Sequence, residues 1–79
     1  MDEIEKRWTK EAQTQLLGRR IVKVRYMKPS EAEMLGWHFR PVVLQLDDGN
    51  LVFPSSDDEG NEPGSFFTNN EQQPVLPII

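Results

Sequence analysis

The chain contains no cysteine, so neither disulfides nor thiolate metal sites can stabilise it. That suits a reducing compartment, and a cytoplasmic setting is the expectation. A single histidine, His38, rules out a His-rich metal site, and the missing thiol rules out a Cys/His nucleophile–base pair. No run of about 18 apolar residues occurs, so no membrane-spanning helix and no membrane partner are expected. The opening MDEIEKRW is charged throughout and lacks the apolar core of a secretory signal. No glycine pattern of the P-loop or dinucleotide-binding kind is present, and no cofactor is expected. The last absence is the most informative: no lysine or arginine follows Arg40.

That absence divides the chain in two. The first forty residues carry nine cations against six carboxylates, a formal +3. The remainder carries seven carboxylates and no cation, a formal −7, so the whole stands at −4. Asp57, Asp58, Glu59 and Glu62 crowd into the Gly- and Pro-rich stretch PSSDDEGNEPG. Such a loop either closes against its own basic residues (Arg19, Arg25 or Arg40) or faces a cation or a basic partner. Nucleic acid is disfavoured as that partner, because sequence-independent affinity for phosphates comes from counterions released by Lys and Arg. Arg19, Arg20, Lys23, Arg25 and Lys28 do form a local basic run. The simpler reading is the solvated face of a strand.

The size allows one small domain, residues 1–79. Surface scaling gives a compact fold of this mass roughly 4,900 Å² of exposed area against roughly 13,000 Å² unfolded. A core of that size supports only a few kcal/mol, roughly 3–5.

Periodicity supplies the elements. Ile4, Trp8, Ala12 and Leu16 recur every four residues and predict a helix over 2–17 with Trp8 as a packing anchor, stopped by Gly18. Residues 19–27 alternate: Val22, Val24 and Tyr26 oppose Lys23 and Arg25, which is a half-buried strand. Ser30 with Glu33 fits a capping box, so a one- or two-turn helix with Met34 and Leu35 inward should run to Gly36. Val42–Phe53 reads as a hairpin about a two-residue Asp48-Gly49 turn of type I′. That register gathers Val42, Leu44, Leu46, Leu51 and Phe53 on one face. Thr68–Gln73 is polar and uncommitted, and Val75–Ile79 is a terminal edge strand. The expected fold class is α+β. An N-terminal helix packs on a small antiparallel sheet of three to five strands, with an open, barrel-like curl equally compatible.

Candidate chemistry is sparse. Setting Gly60 at position 6 of an EF-hand loop puts Ser55, Asp57 and Glu59 at the first three ligand positions, but Phe66 then falls where a bidentate Glu is required. A true EF-hand is excluded. An irregular divalent-cation site through Asp57, Asp58 and Glu59, with Asp47 or Asp48 in support, stays open beside a solvated, self-capping loop. Ser55 and Ser56 each precede a carboxylate by three residues, a pattern that acid-directed kinases and simple turns share. A Ser55–His38–Asp47 triad is arithmetically possible but lacks a nucleophile elbow. Asp47-Asp48 is explained by its turn. Catalysis has no positive support, so the chain is expected to act by binding. Trp37 and Phe39, flanking His38, are candidate partner-binding residues together with Asp57, Asp58 and Glu59. Aromatic anchors beside loops are common in interfaces.

The segments Gly18–Tyr26, Glu31–Trp37 and Asp47–Gly64 also carry a resemblance. They resemble a group of small uncharacterised bacterial proteins that share a GR-x-IVKVRY strand, an acidic helix ending in LGW and a DDG…PS-x-DDEGN-x-x-G segment. The group has no assigned activity, so the resemblance implies a bacterial cytoplasmic setting and carries over no catalytic residue. The sequence-level conclusion is a small regulatory or protein-interaction module, with divalent-cation binding by the 55–62 loop as the alternative.

Overall fold

A computed structural model describes residues 2–79. In chain order the elements are α1 (Glu3–Leu16), β1 (Ile21–Tyr26), α2 (Pro29–Leu35), β2 (Val42–Leu46), β3 (Leu51–Val52), β4 (Phe66–Phe67) and β5 (Val75–Leu76). The fold is α+β, as expected, with the strands in two antiparallel sheets of order β1-β2-β3 and β4-β5. They do not close into a barrel.

Asp2 caps α1, its Oδ1 accepting from the Glu5 N–H at 2.7 Å. At the far end Leu17 is extended, Gly18 has φ 76° and the Arg19 N–H bonds the Leu16 carbonyl at 3.1 Å. That is a type II turn, which needs positive φ at its third residue. Helix α1 buries none of its residues. Trp8 is therefore not a packing anchor within the chain: it is 60% exposed, with the Arg7 guanidinium 5.4 Å from its ring centre.

Helix α2 starts one residue before the expected cap. Pro29 occupies the first turn, where its fixed φ suits a helix and its missing N–H costs nothing. The capping carboxylate is therefore Glu31, which accepts from the Lys28 N–H at 2.8 Å, and not Glu33. Gly36, at φ 74°, ends the helix in a Schellman motif: the Gly36 N–H bonds Glu33 O and the Trp37 N–H bonds Ala32 O. This closure folds Trp37 back over Ala32. Ala32 is thus the inward residue, while Met34 and Leu35, expected inside, are exposed.

The β2–β3 hairpin also differs from expectation, by one residue. Leu44 faces Val52 and Gln45 faces Leu51, and the Leu46 N–H bonds Asn50 O. The loop is thus three residues, Asp47-Asp48-Gly49, with positive φ at Gly49 alone. A type I′ turn would need positive φ at Asp48 as well. The three-residue turn confines that conformation to glycine, and the Asp48 carboxylate accepts from Asn50 N and Nδ2 to brace it. A one-residue slip turns β3 over, so Phe53 joins Val43, not Leu44. The central core cluster is Met27, Ala32, Trp37 and Val43, with Phe53 packed on it and meeting Trp37 edge-on at 5.9 Å, and Val42 and Leu46 are buried as well.

Strand β1 pairs Tyr26 with Val42, Arg25 with Val43 and Val24 with Leu44, with a bulge between Ile21 and Lys23. The C-terminal segment returns to this sheet. Arg40 and Ile79 exchange both backbone hydrogen bonds, and the Tyr26 hydroxyl donates to Pro77 O at 2.9 Å. The uncommitted Thr68–Gln73 stretch is the β4–β5 hairpin loop, closed by Thr68 N–H to Pro74 O and braced by Asn70 Oδ1.

Candidate functional site

The acidic loop is a closed structural unit. Its neck is the antiparallel bridge between Ser55 and Pro63, with Ser56 N–H bonded to Glu62 O and Gly64 N–H to Pro54 O. Gly64 permits a close approach there: a Cβ would lie 3.1 Å from the Ser55 carbonyl carbon and oxygen, so the neck would have to give by a few tenths of an ångström. Inside the loop, Asp57 Oδ1 accepts from the Glu59 and Asn61 N–H groups at 3.0 and 3.2 Å, and Oδ2 from Asn61 Nδ2 at 3.0 Å. The Asn61 side-chain amide, seconded by nearby backbone N–H groups, holds the Asp57 carboxyl below the usual carboxylate range. Asp57 thus organises its own loop. Asp58 and Glu59 stand exposed on the crest.

The structure does not gather these carboxylates for a cation. Among the described residues no three His, Cys, Asp or Glu side chains are grouped as metal ligands, so Asp57, Asp58 and Glu59 do not converge on a shared point. Nor does the loop close on the basic strand. Arg19 reaches Asp47 at 3.6 Å and Asp48 at 3.4 Å, Arg25 pairs with Glu31, and Arg40 donates to Met27 O at 3.2 Å. The hairpin turn, not the 55–62 loop, is what Arg19 meets.

Trp37, expected among the partner-binding residues, lies in the core. It is 6% exposed, and its indole Nε1 donates to Gly60 O at 2.7 Å. It serves the core and the loop, which leaves little of its ring at the surface. Phe39, by contrast, is 54% exposed, and Phe67 is more open still. His38 is exposed with Nδ1 3.4 Å from Glu62 Oε1, while the Ser55 hydroxyl donates to the Glu62 carbonyl and Asp47 faces Arg19. The three residues of the arithmetical triad are thus engaged elsewhere.

The closest ion pair among the described residues joins β1 to α2. Arg25 Nη1 and Nη2 bind Glu31 Oε1 and Oε2 at 2.8 and 3.1 Å, a two-pronged contact. With the Lys28 N–H adding a bond to the same carboxylate, Glu31 is lowered to about 2. This contact fixes α2 to β1 and so sets the position of Trp37.

The surface that the sequence reading misassigned is on α1. Ile4, Trp8 and Leu16 are 72%, 60% and 48% exposed, and Leu17 continues the stripe. Beside it lies a shallow hollow of about 450 Å³ lined by Thr9, Ala12, Gln13, Leu16 and Leu17. The four-residue periodicity signalled an apolar face correctly, but not that the face lies outside the core. No helix among the described residues is long and apolar enough to cross a membrane. Comparison with protein-family models, curated proteins and solved structures finds no match.

Proposed function

We propose that this chain is a cytoplasmic interaction module that acts by binding a protein partner, with α1 as its docking element. One observation carries the reading: a 14-residue amphipathic helix that buries no residue and turns its apolar stripe to solvent. Contiguous exposed apolar surface of this kind is the usual mark of an interaction site, since it is otherwise an aggregation liability. An amphipathic helix presenting anchors at i and i+4 is also a recurrent recognition unit. Exposed Phe39 and the anionic crest of Asp58 and Glu59 extend the available surface. The cation-binding alternative lacks a comparable support, because its carboxylates do not converge.

The test is quantitative capture with the tagged full chain, in three forms. These are the natural sequence, Ile4→Glu with Leu16→Glu, and Asp58→Asn with Glu59→Gln, which spares the loop-organising Asp57. The reading expects a stoichiometric partner that the helix variant loses and the loop variant keeps. Loss with the loop variant alone would move the docking surface to the acidic crest. A chain that retains nothing in any form would refute the module.

A further inference from the structure

We infer that the occupant of the α1 face is a second copy of this chain, docked antiparallel about a two-fold axis; the inference rests on the interaction-module reading and names its partner. Area is the first argument. The chain exposes 6415 Å², whereas a compact monomer of its mass exposes about 4,900 Å². The Cα radius of gyration, 14.0 Å, likewise exceeds the roughly 11.6 Å of a compact chain this long. The surplus is about 1,500 Å² per chain. Burying about half of it on each copy, about 1,500 Å² in all, falls within the roughly 1,200–2,000 Å² of a standard interface.

Shape is the second argument. Thr9, Ala12, Gln13 and Leu16 stand at i, i+3, i+4 and i+7, the four-residue hole into which a facing helix inserts a knob. An antiparallel copy centred at Lys10 sets Trp8 of each helix against Ala12 of the other, and Ile4 against Leu16. The largest side chain of the stripe meets the smallest. Each copy carries both knob and hole, so a two-fold axis satisfies both at once. An unrelated partner would have to supply a knob and a hole at the same spacing.

Charge is the third. The same registration lays the acidic start of α1 (Asp2, Glu3, Glu5) beside the Arg19-Arg20 segment that follows the other helix. Arg20 makes no ion pair among the described residues. Antiparallel helices also oppose their dipoles favourably.

Sedimentation equilibrium of the full chain from micromolar to millimolar concentration tests the pairing. The expected mass rises from 9.2 kDa to twice that value. Trp8→Ala and, separately, Ala12→Arg should each raise the dissociation constant at least tenfold with unchanged far-ultraviolet circular dichroism. A monomer at every concentration overturns the pairing; the capture experiment then decides separately whether the module reading survives with a different protein. A dimer indifferent to both substitutions, or a higher oligomer, overturns this interface. Unfolding of either variant does the same, by placing the residue in an intramolecular core.

Discussion

The indole N–H of Trp37 and the carbonyl of Gly60 meet at 2.7 Å across 23 residues of sequence. The bond ties the end of α2 to the tip of the acidic loop, which has few apolar side chains of its own. Two local devices aim the partners at each other. The Schellman closure at Gly36 swings Trp37 inward, and the left-handed Gly60, at φ 76°, turns its carbonyl toward the ring. The loop is therefore anchored to the core through this bond.

Trp37→Phe keeps most of the ring volume but leaves Gly60 O without its donor. A loss of about 1–3 kcal/mol is expected, the net bond plus imperfect filling. Trp37→Ala should cost about 3–5 kcal/mol, comparable to the whole stability expected of so small a domain. Urea unfolding measures both. In the Phe variant, amide exchange at residues 59–61 should accelerate more than at Leu44; uniform acceleration would show that the loop is not separately anchored.

Acid should release α2 from β1. Glu31 is depressed to about 2 in the fold, against an ordinary value of 4.5. Between those values the unfolded chain binds more protons, so stability rises with pH there. The Arg25–Glu31 contribution is thus complete above pH 4.5 and disappears as pH falls toward 2. Glu31→Gln should flatten the melting temperature across that window and leave little difference at its acid end. Equal slopes in the two proteins would show that the contact contributes no pH dependence.

How far the sequence was legible follows a physical line. Helices and turns set by one or two residues could be read: Gly18 and Gly36 end their helices as their freedom at positive φ suggests, and Asp48-Gly49 marks a hairpin tip. What failed was anything decided by a choice between near-equal local options. Asp48-Gly49 fits a two-residue turn and a three-residue turn, and only the latter spares Asp48 a positive φ. That choice moved Phe53 to the face of Val43. Likewise Pro29 outcompeted Ser30 for the start of α2, and Ala32 replaced Met34 and Leu35 as the buried position. The candidate site was less legible because an apolar stripe looks the same whether it meets its own sheet or another molecule. Trp8 and Trp37 are alike as letters, and only the tertiary structure separates anchor from exposed ring.

The neck of the loop predicts a sharp contrast between glycines. At Gly64 a methyl group would press on the Ser55 backbone at 3.1 Å, and the shift that relieves it falls on the bridge to Pro63. Gly64→Ala should cost about 1–3 kcal/mol by overpacking and expose the Ser56 N–H to exchange. Gly49 has open space around it but φ 90°, so Gly49→Ala should cost about 1–2 kcal/mol through conformation alone, leaving Ser56 protected. If both variants left the Ser56 amide equally protected, the neck would not be held by the close approach at Gly64.

Divalent cations give the last contrast, because a cation and the loop's own N–H groups compete for the same oxygens. Asp57 spends Oδ1 on Glu59 and Asn61 and Oδ2 on the Asn61 amide, so an ion taking this carboxylate must first break those bonds. The exposed Asp58 and Glu59 alone form a poor oxygen shell for calcium, which takes about 6–8 ligands. Calcium added to about 10 mM, beyond the range of weak extracellular sites, should therefore move the amide signals of residues 55–62 only as ionic strength does, without saturating. The melting temperature should stay put as well, since a ligand at about 100 times its dissociation constant would add about 2.7 kcal/mol. Asp57→Ala should loosen the loop equally with and without calcium. A saturating titration accompanied by lost protection of the Asn61 side-chain amide would reverse the conclusion, showing the loop re-formed around the ion.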